Sequence, residues 1–307
     1  VVSTEFENIP AATLEHLARH VPVRPSASVL TRTQDRIAEK AFIAATGLAT
    51  APYRPVHTAN ELQDAWKAVG APAILKRAGF GYDGKGQVGV DSLQALQQAF
   101  EELGNVPCVL EGRVDLEREV SVVVARNVAG DSRCYPVSEN IHRSGILHTS
   151  IVPARIPDSL AETAQSQARQ LADALDYCGV MAVEFFVAGG QLLVNEIAPR
   201  PHNSGHYTLD AALTSQFEQQ VRMVCGLPFG DTRLLSPVVM VNLLGDLWSD
   251  GQPDWMALFQ DPAAKLHLYG KREARPGRKM GHFCVLAPDT EQALMRAEGL
   301  YGRLQHQ

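Results

Sequence analysis

Lys76, Lys85, Glu184, Glu196, Arg200, His202 and Asn203 are the residues whose types and spacing could do chemistry. Lys76 closes a short apolar run and is followed by a loop with glycines at 79, 81, 84 and 86. Glycines this dense let the backbone approach a ligand and take positive φ without a Cβ penalty. Successive amides freed in this way form a cradle for anions, and Lys76 and Lys85 add charge on either side. The stretch 73–90 has the make-up of a polyphosphate grip. Context excludes three familiar grips. Gly79, Gly81 and Gly84 satisfy G-x-G-x-x-G, but that fingerprint should open a helix, and residues 87–90 alternate like a strand. Residues 79–85 fit the front of a P-loop, yet Gly86 stands where a hydroxyl should hold magnesium. In kinases the lysine follows the glycine-rich loop, whereas Lys76 precedes it. What remains is a lysine-bearing strand and a glycine-rich flap, with an ordinary glycine-rich hairpin as the alternative.

Glu184 (V-E-F-F) and Glu196 (V-N-E-I-A) flank a Gly189-Gly190 turn. The pattern predicts strands over 181–187 and 191–197, with the two glutamates near one level. Alternation puts Glu184 on the face of Ala182 and Phe186, and Glu196 on that of Val194. Asn195 should face the other way unless the strand ends there. Paired carboxylates with an adjacent amide suit magnesium bridging nucleotide phosphates, because hard oxygen ligands match that ion. Among Val, Phe, Leu and Ile they would be costly to bury without a cation. Two solvated strand glutamates are the alternative. Arg200, His202, Asn203, Ser204 and His206 crowd the next loop, a place for a small anion or a transferring phosphoryl group, or else a plain surface loop. Lys271, Arg275, Arg278 and Lys279 form a basic cluster that fits a substrate phosphate or a solvated face.

The elements that must position these residues follow from length and pattern. The chain has 307 residues, net charge −6 and five scattered cysteines without a C-x-x-C pair. No basic block points to nucleic acid, no apolar run reaches the roughly 18 residues of a membrane span, and scattered thiols fit a reducing compartment and core packing. No signal peptide is visible. The opening Val1-Val2-Ser3-Thr4-Glu5-Phe6-Glu7-Asn8 has the look of a strand end entering a functional loop, so residues are expected to be missing before it. Helices are predicted over 9–20, 33–46 (with Gly47 at its C′ position), 60–69, about 92–103 capped by Asp91, 158–177, 208–224, near Trp255, and 291–304. Strands are predicted over 21–25, 73–76, 87–90, 108–114, 119–126, 134–137 and 238–244, with a hairpin region at 266–286. Residues 139–142 are polar where a returning strand should be apolar. Mixed elements with several antiparallel hairpins give an α+β class.

Lys76, the flap G-Y-D-G-K-G-Q (81–87), the run N-E-I-A-P-R-P-H-N-S-G-H (195–206), S-Q-F-E (215–218) and G-R-K-M-G-H (277–282) together resemble 5-(carboxyamino)imidazole ribonucleotide synthetase, an ATP-grasp family of microbial purine biosynthesis. The resemblance covers essentially the whole chain. It implies an ATP-grasp fold, with the end of an N-terminal Rossmann-like domain over 1–32, an ATP-grasp domain over 33–236 and a C-terminal domain over 237–307. The ATP-grasp domain would divide into a flap-bearing part (about 52–112) and a metal-bearing part (about 113–236). It implies that ATP activates bicarbonate as carboxyphosphate, which the exocyclic amine of 5-aminoimidazole ribonucleotide captures.

By the same resemblance, Arg36, Lys76, Gly81, Tyr82, Asp83, Gly84, Lys85, Gly86, Gln87, Glu119, His142, Asn195 and Glu196 would hold ATP. Glu111, Gly112, Arg113 and Val114 would form the adenine hinge. Glu184 and Glu196 would bind Mg2+. Arg200, His202 and Asn203, with Lys85, would be catalytic, holding bicarbonate and carboxyphosphate. Glu5, Tyr82, Asp83, Lys271, Arg278 and Lys279 would contact the ribonucleotide. The family further implies a cytoplasmic homodimer, with no nucleic-acid or membrane partner. Two other readings remain: a formate-using ATP-grasp ligase, against which H-N-S-G-H and G-R-K-M-G-H argue, and a nucleotide-binding regulatory module without turnover.

Overall fold

In the computed structural model, which describes residues 1–79 and 86–305, two antiparallel sheets carry the chain. Helices α1 (Ala11–Ala18), α2 (Ala27–Thr33) and α3 (Arg36–Ala45) come first. The carboxylate of Asp35 starts α3 by accepting from the amides of Ile37 and Ala38, both at 2.9 Å, which satisfies two donors a helix start leaves unpaired. Then follow β1 (Tyr53–Val56), α4 (Leu62–Val69), β2 (Ala73–Arg77), β3 (Gln87–Val90), α5 (Leu93–Glu102) and β4 (Cys108–Gly112). The strands pair in the order β1-β4-β2-β3. Val56, Leu75, Leu96, Phe100 and Leu110 fill the space beneath helices α4 and α5.

The second sheet takes β5 (Arg118–Arg126), β6 (Ser132–Cys134), β7 (Ser138–Arg143) and β8 (Ile146–Val152), and then, after α6 (Asp158–Ala174), β9 (Gly179–Ala188) and β10 (Gln191–Ala198). Helices α7 (Thr208–Ala211) and α8 (Gln216–Val224) precede β11 (Val238–Leu244), α9 (Met256–Phe259), β12 (Ala264–Leu268), β13 (Lys279–Leu286) and α10 (Thr290–Gln305). The strand order is β10-β9-β5-β7-β8-β11-β13-β12, with β6 on β5. The fold class is α+β, as the sequence implies.

Strand alternation decides which face does what. Val120, Val122 and Val124 of β5 point to α6 and pack with Ala168 and Leu171, while Glu119 and Ser121 point the other way. Fully burying a side chain such as Leu171 contributes roughly 1.5–3 kcal/mol, so this face is fixed and the polar face is left for the site. The Gly189-Gly190 turn joins β9 to β10 with φ of 56° and 69°, the pair of positive values that a two-residue hairpin needs.

Several elements differ from the sequence reading. The helix expected over 208–224 is two helices, because Ala212 is extended and bridges Leu234 while the Ser215 hydroxyl caps α8 at the Glu218 amide. Ser92, not Asp91, caps α5. The strand expected over 134–137 is β6, ending at Cys134. Residues 21–25 form only a parallel bridge, Val2 with Val23. The polar stretch 139–142 is part of β7, and β8 was not anticipated.

Candidate active site

A cleft of about 1000 Å³ lies between the two sheets. Lys76 and Gln87 reach it from the four-stranded sheet; Glu119, His142, Glu184, Asn195 and Glu196 reach it from the nine-stranded one. Arg36, at the first turn of α3, joins them. Arg200, His202 and Asn203 approach from the loop after β10, Lys271 and Lys279 from the C-terminal strands, and Glu5 from the opening segment. These sequence-predicted residues therefore meet around one space. Tyr82, Asp83, Lys85, Gly81 and Gly84 lie outside the described residues.

Glu184 stands directly opposite Glu196, and the strand is irregular between Val194 and Glu196. That bulge corrects the alternation argument. Without it Glu196 would share the face of Val194, which is fully buried in the core with Val183 and Phe185. One extra residue at Asn195 turns Glu196 onto the Glu184 face instead. Both Asn195 and Glu196 then line the cleft. The cause is tertiary: the Val194 amide donates to the Ala49 carbonyl at 2.8 Å and the Ile197 amide to the Glu39 carboxylate at 2.7 Å.

Each carboxylate of the pair has a basic side chain as its partner. Arg36 Nη1 contacts Glu196 Oε2 at 3.2 Å, and His202 Nε2 contacts Glu184 Oε1 at 3.1 Å. Burial works to raise the Glu184 carboxyl, but the hydrogen bond and charge of His202, with His142 beyond, hold it down at about 2. Burial also works against the charge of Arg36, which Glu196 and Glu39 more than offset, so its pKa is raised. Two cleft-facing carboxylates beside an amide oxygen, offering only hard oxygen donors, fit Mg2+. Across β5, His142 Nδ1 contacts Glu119 Oε2 at 2.9 Å. Burial opposes charge on His142, yet Glu119 and Glu184 raise its pKa overall.

The loop after β10 is fixed from beneath. Gln216 clamps His202 twice, its amide donating to the His202 carbonyl at 2.7 Å and its Oε1 accepting from the His202 amide at 2.9 Å. A Cβ at Gly205 would stand 2.5 Å from that Oε1, so the close approach requires glycine. Ser204 Oγ meets Ser121 Oγ at 2.7 Å, Asn140 donates to Ser121 at 2.8 Å, and Ser150 donates to Asn140 at 2.9 Å. All are buried and all have partners, the condition under which polar groups survive in a core. This network explains why 139–142 is polar inside a sheet. Asn203 and Asn242 bond each other at 3.0 and 2.7 Å.

Gln216 is quoted in the sequence reading only as part of S-Q-F-E, without a role, and Asn242 was missed. The S-x-x-E spacing Ser215…Glu218 marks a helix start, and an amide inside V-V-M-V-N-L-L marks a buried hydrogen-bonding post; both signals were present. Tyr269 was missed as well; it lines the cleft, its hydroxyl 2.8 Å from His282 Nδ1. Burial depresses His282 to about 2, so this buttress is a neutral imidazole.

Other expected residues stand away from the cleft. Glu111 is sealed behind Lys76, with Lys76 Nζ at 2.9 Å and Lys40 Nζ at 3.3 Å from its two oxygens. Burial would raise the Glu111 carboxyl, but the two lysines lower it; Lys40, buried and beside Lys76, is lowered in spite of Glu111. The Gly112 and Arg113 amides are taken by the carbonyls of Pro52 and Pro72 at 2.8 and 2.9 Å. Val114 is half-buried and Gly86 sits against Arg77. Arg278 is bonded to the Glu273 carbonyl at 2.8 Å, away from the cleft wall.

Residues 41–217 match the ATP-grasp domain, which gives the class of the fold and its cleft. Residues 238–296 match the phosphoribosylaminoimidazole carboxylase C-terminal domain. N5-carboxyaminoimidazole ribonucleotide synthase of Brucella melitensis is 46% identical over 293 residues, covering 94% of this chain and 80% of the relative. The Bacillus subtilis synthase is 47% identical over 293 residues, covering 95% and 76%. Among solved structures, the Thermus thermophilus synthetase aligns with a TM-score of 0.91 at 39% identity, over 100% of this chain and 82% of that one. The Aspergillus clavatus enzyme, in complex with ADP and 5-aminoimidazole ribonucleotide, aligns with a TM-score of 0.91 at 30% identity, over 100% and 82%. The chain belongs to the N5-carboxyaminoimidazole ribonucleotide synthase family of ATP-grasp ligases.

Proposed function

We propose that the chain carboxylates 5-aminoimidazole ribonucleotide with bicarbonate at the expense of ATP, giving N5-carboxyaminoimidazole ribonucleotide, ADP and phosphate. The observation that carries this is the bulge at Asn195. It sets Glu196 opposite Glu184 in the cleft that Arg200, His202, Asn203 and Lys76 also line.

Lys76, Gln87, Glu119, His142 and Arg36 form the ATP-holding set, with Lys76 placed for phosphate charge and Glu119 for ribose hydroxyls. Lys85 and residues 81–84 contribute phosphate contacts in this reading, and Glu111 acts from behind the cleft wall by holding Lys76. Glu184 and Glu196 would hold Mg2+, which when bound neutralises charge on the transferring phosphoryl group. Arg200, His202 and Asn203 hold bicarbonate in line with that group and keep the carboxyphosphate oriented. A cleft that excludes water protects this labile anhydride until the amine attacks. Glu5, Tyr82, Asp83, Lys271 and Lys279 hold the ribonucleotide, with the cationic ones toward its phosphate.

The reading extends to a cytoplasmic homodimer. Among the described residues no helix is long and apolar enough to cross a membrane, and Met256, Phe259 and Leu268 remain exposed for a partner surface. It also keeps units over 1–32, 33–236 and 237–307, with parts about 52–112 and 113–236; the separate four-stranded sheet supports the inner division.

Phosphate release from ATP, measured with bicarbonate and with or without the ribonucleotide, tests the function. Stimulation by the ribonucleotide that disappears in Glu196→Ala is expected. Hydrolysis indifferent to the ribonucleotide overturns the substrate assignment.

A further inference from the structure

Glu7 lies two residues beyond Glu5 on the opening segment and faces the cleft. Its carboxylate grips Arg200 in two places: Oε2 is 3.0 Å from Nε and Oε1 is 3.1 Å from Nη2. This is the paired geometry in which arginine binds a carboxylate most specifically. The backbone on both sides of Glu7 is pinned by one side chain, because the Gln34 amide donates to the Glu7 carbonyl and, at 2.7 Å, to the Ile9 carbonyl. Nearer the start, the Val2 amide donates to the Pro22 carbonyl and the Arg24 amide to the Val2 carbonyl, both at 2.9 Å. The segment is thus tied to the body of the chain before and after Glu7.

A guanidinium has five N–H donors in a fixed plane. Glu7 takes Nε–H and one hydrogen of Nη2, and the Pro201 carbonyl takes one from Nη1 at 3.2 Å. One hydrogen on Nη1 and one on Nη2 are left, and Arg200 lines the cleft. A small planar oxyanion is the ligand those two donors can hold. The plane in which they are offered is set by Glu7.

We infer that Glu7 is a positioning residue for Arg200, fixing the guanidinium so that its remaining donors present a bicarbonate-sized anion to the phosphoryl-transfer end of the cleft. This rests on the proposed carboxylation and deepens it. The segment that carries Glu5 toward the ribonucleotide also aligns the arginine for the second substrate, so loss of Glu7 disturbs bicarbonate handling while the ATP wall, built on β2, β5 and α3, is untouched.

The test compares wild type with Glu7→Gln and Glu7→Asp. Rates of ribonucleotide-dependent ADP formation are measured against bicarbonate at saturating ATP, and against ATP at saturating bicarbonate. Glu7→Gln keeps the side-chain size but turns an N–H pair toward the guanidinium. Its KM for bicarbonate is expected to rise about 10- to 100-fold, the scale of a misplaced catalytic group, with KM for ATP unchanged. Glu7→Asp, which keeps the charge, recovers part of the loss. The unchanged KM for ATP also shows that the variant is folded. A wild-type KM for bicarbonate in Glu7→Gln overturns the inference and leaves the carboxylation reading standing. A lower KM overturns it too, since Glu7 would then compete with the anion. Wild-type turnover without any dependence on bicarbonate overturns both.

Discussion

Asn203 of the loop after β10 and Asn242 of β11 hold each other by two side-chain hydrogen bonds, and Asn242 also donates to the Leu147 carbonyl at 2.8 Å. A residue proposed for bicarbonate is thereby fastened to the strand that opens the C-terminal segment. Asn242 is fully buried, so Asn242→Leu removes both of its bonds with Asn203 and the one to the Leu147 carbonyl. The expected loss is about 1–3 kcal/mol of stability, read by urea denaturation, with a higher KM for bicarbonate in the folded fraction.

His202 is the side chain that keeps Glu184 ionised at the cleft. Replacing a group that orients a metal-binding carboxylate typically costs about 10- to 100-fold in metal affinity. His202→Ala is therefore expected to shift the Mg2+ dependence of ATP turnover upward on that scale. An unchanged magnesium titration would remove Glu184 from the metal assignment.

Glu39 gives the chain a pH-dependent stability. It is fully buried, accepts from the Ile197 amide, and is raised from 4.5 to about 8 by burial first and the charge of Glu196 second. Between those values the native chain keeps a proton that the unfolded chain has released. Its contribution to stability is complete below about pH 4.5 and is lost as pH rises through about 8. Thermal unfolding of the metal-free protein should show this decline between about pH 4.5 and about 8. Glu39→Gln retains the acceptor without the charge and should flatten it.

Glu111 lies between two buried lysines. Removing one member of a buried ionic group strands the others, at a cost of about 3–5 kcal/mol. Glu111→Ala is expected to lose stability on that scale in chemical denaturation. It should also weaken nucleotide binding, since Lys76 Nζ loses the carboxylate 2.9 Å away that now holds it.

The legible parts of the fold were those governed by local rules. A Gly-Gly turn between alternating strands gave the β9–β10 hairpin, and the amphipathic stretch 158–177 gave α6, which ends at Ala174. Glu184 and Glu196 could be brought to one level from their distances to that turn. The bulge that turns Glu196 toward Glu184 could not be read, because it depends on Ala49 and Glu39, which meet β10 only after folding. Helix 208–224 failed for the same reason: Ala212 is drawn off to Leu234, a contact no local spacing announces. Glu7 was passed over in favour of Glu5, since its importance lies in reaching Arg200 across 193 positions.

The pairing of β8 with β11 carries one more consequence. Val239 sits opposite Ile151 and Met240 opposite Ser150, so the last third of the second sheet is laid directly on the middle of it. A fragment ending before Val238 would bare the backbone of β8, a buried strand, as an open sheet edge, the kind of surface that templates aggregation. The nucleotide-gripping half of this chain is therefore no separable cassette: an excised version needs a redesigned border at β8 as well as a replacement for Asn242.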